Sequence, residues 1–589
     1  MTSSSLRPKL LFLFFIIIFI GIILRLFYWQ IIQGYSLKRV AENQATKEKI
    51  LTGKRGQIFT SDQHLLVGNK EMYYLMVDKT LLKDSSELLA KKVSSLLAEK
   101  ELLESSSSGS IVELKTLTQE KQAYIQERLN LNSTWIRLSS RIDQDLKNKI
   151  EQLADPALYF ESYDVRFYPE ASMAAHLTGF VGKDEDGFDL GYFGIEGALN
   201  QELQGKQQKK RFLTDALGNL LGGENTIDNQ SLNGRDFTLT IRRDIQFLLE
   251  TELKNGLERY GGNSGEIIVM EPNTGNILGL AAFPQYDQTK YYTFPAENYK
   301  NPSLANLYEP GSTFKTITVS AGIDAGVIKP ETECLKCDGP REIGKYTIKT
   351  WNNEYNPNIT MTDALAKSDN TAMIYITDLL GKDKFVEYLK KFGIGDEIGL
   401  DLQDDSSTPF PDKWGPVELA TSSFGQGIST TSMQMVRAVS TIANDGVMMR
   451  PKILEQVTDY QSKKTIKIEP IEERRVISPE TARTVTEMMI NSAKHGEAQW
   501  IFKNTHTVAG KTGTSQIPIK GGYKQDATIA SFIGFAPAEN PRFVMLVKIN
   551  EPQTSPWAAE TAAPLWYRVA SKLFLLLNIP PDSTASPTP

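Results

Sequence analysis

The chain has 589 residues, 40% of them hydrophobic and 23% charged, with a formal net charge of −6. That is the composition of folded globular domains rather than of a disordered or polytopic membrane chain, and the length implies two or three domains, each with its own core. The acidic balance offers no broad basic surface, which sets nucleic-acid binding aside, and the only cysteines, Cys334 and Cys337, are too few for a disulfide framework or an all-cysteine zinc site.

A leading tail, residues 1–9, carries Arg7 and Lys9 and no acid. Residues 10–32 are apolar apart from Arg25 and the polar Gln30, long enough to cross a bilayer core of roughly 30 Å as a helix. Arg25 lies near the outer end, where it can snorkel, and Phe27, Tyr28 and Trp29 make an interfacial aromatic belt. A cleaved signal peptide is the rival reading, but no small-residue cleavage site follows, so an uncleaved anchor is expected. The positive tail places the N-terminus inside and the remaining chain outside.

Residues 33–235 read as an extended α+β spacer. Helical spacing of Leu and Ile over 86–103 and 112–129 predicts two helices, split by a polar loop at Glu104–Ser110. From 236 to 578 the texture is that of one large α/β domain. Strand 236–241, helix 245–260 and a hairpin of 265–270 with 276–281 open it; strands 530–536 and 542–549 and a helix over 562–577 close it. The proline- and serine-rich tail 579–589 is expected to be unordered.

Three short motifs carry the chemistry: Ser312-Thr313-Phe314-Lys315, Ser368-Asp369-Asn370 and Lys511-Thr512-Gly513-Thr514. Ser-x-x-Lys and Lys-Thr-Gly each occur once, whereas Ser-x-Asn recurs at Ser231-Leu232-Asn233 and is weak alone. After Pro310-Gly311 a helix is expected over 312–325. Ser312 then sits in its first turn, where free N–H groups favour a developing oxyanion, and Lys315 lies one turn on. A desolvated lysine near another cation loses its proton near neutral pH, so Ser312 is the candidate nucleophile and Lys315 its base. Lys511 and the hydroxyls of Thr512 and Thr514 suit a carboxylate, Gly513 suits close approach of a substrate backbone, and the N–H groups of Thr514 and Ser312 suit an oxyanion.

A Ser-His-Asp hydrolase is the competitor, but only His64, His176, His495 and His506 exist and no G-x-S-x-G elbow surrounds Ser312. No H-E-x-x-H supports metallohydrolase chemistry, and no metal or cofactor is called for. For Cys334 and Cys337, a tight local disulfide, idle thiols and a redox pair stay open.

The ordered motifs resemble the active-site-serine penicillin-binding acyltransferases, class B in particular and the division-specific FtsI type most of all. The resemblance extends to Arg25 with Trp29-Gln30, Arg55-Gly56-Gln57-Ile58, Arg166-Phe167-Tyr168-Pro169, Ala175–Phe180, Gly194-Ile195-Glu196-Gly197, Tyr308-Glu309-Pro310-Gly311 and Ser423–Gly427. It departs at Phe59-Thr60-Ser61-Asp62-Gln63, where the family shows Asp-Arg-Asn-Gly, which puts the local turn in question. The fold implied is the penicillin-binding, serine β-lactamase-like α/β (α+β) domain, an antiparallel sheet flanked by helices behind an elongated pedestal and one membrane helix. The activity implied is D,D-transpeptidation of peptidoglycan stem peptides in septal wall synthesis, with β-lactams as covalent mimics. Ser368 would relay protons, Asn370 would orient the donor amide, and Lys511, Thr512 and Thr514 would grip the terminal carboxylate. With no glycosyltransferase domain between anchor and spacer, an FtsW-type polymerase is the implied partner among other divisome membrane proteins. An elongation enzyme, a D,D-carboxypeptidase or β-lactam hydrolase, and a non-catalytic penicillin-binding scaffold are the alternatives.

Overall fold

The computed structural model describes residues 6–82, 85–104, 111–213, 230–405, 407–408, 410–411, 413–502 and 505–582. The chain divides into two compact units. One comprises Met1–Arg55, Gln204–Gly234 and Tyr460–Lys463; the other comprises Gly56–Leu203, Arg235–Asp459 and Lys464–Pro589.

The first unit contains the apolar segment, an α-helix over Leu6–Phe27 continued by a π-helical turn over Tyr28–Ile32. Its 27 residues leave no side chain buried against protein, as lipid-facing residues require, and reach about 40 Å at the α-helical rise. Arg25 lies 5.9 Å from the Trp29 ring, a cation–π contact near the C-terminal end of the segment. After a helix over Gly34–Ala45, strands Thr46–Thr52 and Gln207–Leu213 pair as an antiparallel ribbon.

In the second unit, the spacer is built on a seven-stranded sheet. Its order is Lys464–Lys467, Leu454–Asp459, Asp236–Leu239, Ile58–Phe59, Leu65–Asp78 and Trp135–Ile142, with Leu158–Phe167 also paired to Leu65–Asp78. The expected helices are present as Ser86–Glu104 and Ile111–Leu129, covering the sheet through Leu89, Val93, Ile125 and Leu129. Of the loop expected between them, residues 105–110 lie outside the described ones. Asp236–Leu239, read as the opening strand of the downstream domain, lies parallel to Ile58–Phe59 and antiparallel to Leu454–Asp459, so spacer and downstream domain share one sheet. The divergent turn forms by other means. Thr60 N donates to His64 O, His64 N donates to Thr60 Oγ1, and Gln63 takes φ +62°. The family-like arginine Arg166 meets Glu196 at 2.6 Å, both buried.

The downstream layer is a five-stranded antiparallel sheet made of β1 (Ser264–Met270), β2 (Ile277–Phe283), β3 (Ala509–Ile519), β4 (Gly522–Ala536) and β5 (Phe543–Asn550), in the order β2-β1-β5-β4-β3. One face packs on α1 (Arg243–Tyr260) and α6 (Ala562–Leu576): Ile245, Leu249, Trp566 and Leu573 meet Ile267, Val269, Phe532 and Met545. Trp566 is wholly buried and its Nε1 donates to Met545 O, so the ring contributes area and a satisfied polar handle together. The other face carries α2 (Lys315–Asp324), α3 (Asn370–Leu380), α4 (Ser432–Ala443) and α5 (Pro479–His495). The tail orders further than expected. Ile579 is buried and its carbonyl accepts from His506 Nε2, while Asp582 accepts from Thr507 N and Oγ1; residues 583–589 lie outside the described ones.

Candidate active site

Three elements of different sequence origin meet at Ser312. The first is a 3-10 turn, Gly311–Phe314, that runs into α2, so the serine stands ahead of the α-helix rather than within its first α turn. Gly311 takes φ +57° and its N–H donates to Gly425 O; a Cβ on Gly425, itself at φ +80°, would lie 2.2 Å from Gly311 O. The Ser423–Gly427 segment therefore holds the serine turn by a backbone approach that only glycine permits.

The second element is the loop leading into α3. Ser368 takes φ +57°, an uncommon conformation for a residue with a Cβ. Asp369 fixes it by capping α3, its Oδ1 accepting from Thr371 N and Ala372 N. Ser368 Oγ thereby reaches Ser312 Oγ and donates to it at 2.8 Å. Lys315 Nζ, fully buried, donates to Ser368 O at 2.5 Å, Asn370 Oδ1 at 2.8 Å and Ser368 Oγ at 3.1 Å. Lys315, Ser368 and Ser312 thus form a continuous hydrogen-bonded chain. Asn370 Nδ2 donates to Lys349 O, which fixes the amide orientation.

The third element is the edge strand β3. Lys511, Thr512, Gly513 and Thr514 stand opposite Ile533, Phe532, Ser531 and Ala530 of β4. Lys511 Nζ donates to Thr512 Oγ1 at 3.1 Å, and Thr512 Oγ1 donates to Glu497 Oε2 at 2.6 Å. Thr514 Oγ1 accepts from Ala558 N. A Cβ on Gly513 would lie 2.7 Å from Thr313 Cγ2 and 2.8 Å from Ser531 Oγ. The absence of a side chain at Gly513 lets β3 lie close against the serine turn.

Burial sets the charge state of the two lysines. Desolvation, with the Lys511 ammonium as the next cause, pulls Lys315 down to about 7. Lys511 is also lowered by burial, and Glu497 opposes the shift. A base poised near neutrality, bonded through one hydroxyl to a second, can take up and return a proton.

Two carboxylates contribute whose roles were not read from the sequence. Glu497 lies beyond α5, and Glu309, raised by burial, accepts from Gly427 N at 3.0 Å and Tyr523 OH at 3.1 Å, tying the β3–β4 hairpin to the serine turn. Cys334 and Cys337 form the local disulfide, one of the open readings, in the segment between α2 and the Met361–Ala366 helix. Two of the histidines are occupied elsewhere. His176 is buried against Asn298 O, with burial pushing it down to about 4, and His506 stacks on Phe574. Among the described residues no cluster of three or more His, Cys, Asp or Glu could hold a metal.

The family model for the penicillin-binding protein transpeptidase domain matches residues 265–571, and that for the penicillin-binding protein dimerisation domain matches residues 50–239. Stage V sporulation protein D of Bacillus subtilis is 30% identical over 575 residues, covering 96% of this chain and 85% of that protein. Peptidoglycan D,D-transpeptidase FtsI of Escherichia coli K12 is 28% identical over 463 residues, covering 77% and 75%. In fold, the chain is similar to penicillin-binding protein 2X of Streptococcus thermophilus, with a TM-score of 0.73 at 23% identity, over 91% of this chain and 81% of that one. With both family models matched in order along the chain and a relative 30% identical over 96% of it, this protein belongs to the class B penicillin-binding proteins.

Proposed function

We propose that the chain is a peptidoglycan D,D-transpeptidase working through an acyl-enzyme on Ser312. The observation that carries this reading is the buried chain Lys315 Nζ to Ser368 Oγ to Ser312 Oγ. Ser312 Oγ attacks the carbonyl of the penultimate D-alanine of a D-Ala-D-Ala stem peptide, and its proton passes through Ser368 to neutral Lys315. The oxyanion is received by the N–H groups of Ser312 and Thr514. Collapse breaks the amide, and the same relay delivers the proton to the nitrogen of the departing D-alanine. An amine of a neighbouring stem peptide then attacks the ester, gives its proton to the relay, and restores Ser312 with a new amide bond. Asn370 positions the donor amide, while Lys511 and Thr514 hold the terminal carboxylate, with Thr512 orienting the Lys511 ammonium for it. A β-lactam reacts by the same first step, its opened ring remaining attached.

The Leu6–Ile32 helix anchors the enzyme, with the charge of Arg7 and Lys9 favouring a cytoplasmic N-terminus and an external catalytic domain. Relatives named FtsI favour a septal role with an FtsW-type polymerase as partner. Purified chain supplied with a D-Ala-D-Ala thioester analogue and an amine acceptor should yield the transfer product; hydrolysis alone would favour a carboxypeptidase. A fluorescent fusion should gather at the septum, and lateral-wall signal would favour elongation.

A further inference from the structure

Among the described residues Lys511 is one of the most deeply buried cations, 1% exposed, and none of their carboxylates pairs with it directly. Its recorded acceptors are Thr512 Oγ1 at 3.1 Å and Thr512 O at 3.3 Å, both on the adjacent residue. The Thr512 hydroxyl spends its own proton on Glu497, at 2.6 Å, so its lone pairs are left for Lys511. Glu497 stands just past the end of α5, half-buried, in the wall of a 220 Å³ cavity that also touches Trp351, Glu354, Lys367, Asp369 and His495.

The charged groups around Lys511 leave Glu497 a distinct place. From α2 comes Lys315, a like charge. From the start of α3 comes Asp369, whose Oδ1 is taken by the helix cap and whose field acts on Lys315. From just past the end of α5 comes Glu497, joined to Lys511 through Thr512, with His495 in the wall of the same cavity as Glu497. Within the sheet, Lys548 is matched by Glu266 at 2.6 Å. We propose that Glu497 is a positioning residue for the carboxylate grip: through the Thr512 hydroxyl it holds the positive charge of the site on Lys511 and leaves Lys315 free to act as base.

This rests on the reading of Ser312 and Lys315 as nucleophile and base. Two buried lysines close enough to repel cannot both stay protonated at neutral pH without a compensating anion. Lys511 is the one linked to an anion by hydrogen bonds, whereas Lys315 spends its donors on neutral oxygens. Glu497 favours the charged form of both lysines, as the one cause opposing burial at Lys511 and as the last of four causes at Lys315, so the hydrogen-bonded link through Thr512 is what ties it to Lys511.

The test uses the full chain in detergent and the variant Glu497→Gln, whose amide oxygen still accepts from Thr512 while the charge is gone. Acylation by benzylpenicillin is followed from pH 6 to 10. Removing an opposite charge at this range should move the alkaline limb down by about one pH unit, so that the rate on that limb falls about tenfold. Reversible binding of the carboxylate-bearing drug should weaken at neutral pH, and Glu497→Asp should restore the wild-type limb. An unchanged limb and unchanged binding in Glu497→Gln would overturn the proposal, as would equal shifts in both variants. So would a drop in melting temperature of more than a few degrees, since Glu497 is assigned no structural duty. Failure of the underlying reading looks different: the wild type would then not be acylated, or Ser312→Ala would be.

Discussion

The pH dependence of acylation follows from the burial of Lys315. Its ammonium is wholly removed from water and faces Lys511, and the two effects bring it from an ordinary 10.5 to about 7. If the neutral amine is the base, its fraction is about one tenth at pH 6 and about nine tenths at pH 8, so the acylation rate should rise about tenfold across that interval. The carboxylate of benzylpenicillin is ionised throughout and adds no slope of its own. Stopped-flow measurement of the second-order rate constant from pH 5.5 to 8.5 reads the titration directly. The same group predicts the sign of a stability effect. Its folded value lies below its unfolded one, so between pH 7 and 10.5 the unfolded chain holds the extra proton, and stability from this group rises as pH rises through that window. A rate that is flat from pH 6 to 8, or that falls as pH rises, would refute a neutral Lys315 as base.

Ser368→Ala removes the hydroxyl that links Lys315 to Ser312 and should slow acylation by about 10²–10⁴ with little change in melting temperature; near-normal rates in stopped-flow would remove Ser368 from the relay. Lys548→Met strands the buried carboxylate of Glu266, which otherwise meets Lys548 at 2.6 Å and accepts from Ser303 Oγ, and should lower stability by about 3–5 kcal/mol in denaturant titration. A loss below about 1 kcal/mol would mean that the pair is better hydrated than its burial implies. Paired Cys334→Ser and Cys337→Ser changes release only a short closed loop and should lower stability by about 2 kcal/mol while acylation persists. Loss of acylation without unfolding would assign the disulfide a part in the site.

The chemistry-bearing segments were legible because each is short and its residues act as neighbours. Ser312 and Lys315 lie one turn apart, and Lys511 through Thr514 lie along one strand edge. Helices such as α1 and α6 showed as periodic apolar faces, and the β1–β2 hairpin as two apolar runs around a turn. What the chain hid depends on contacts between distant residues. Nothing local to Asp236–Leu239 says that it completes a sheet begun at Ile58, because pairing partners 179 residues apart leave no period. Glu497 and Glu309 are single carboxylates whose meaning comes only from Thr512, Gly427 and Tyr523. That a side chain at Gly513 would meet Thr313 and Ser531 is a packing fact that a strand pattern does not contain. At the tail, the apolar Ile579 and the carboxylate of Asp582 find partners near His506 and Thr507 that composition does not reveal.

The account turns on which atom is acylated. Full-length chain treated with benzylpenicillin, digested and analysed by mass spectrometry should carry the penicilloyl mass on the peptide containing Ser312 and on no other, and the Ser312→Ala variant should carry none while keeping the wild-type melting temperature. A penicilloyl adduct on a different residue, or undiminished labelling of a folded Ser312→Ala protein, would contradict it.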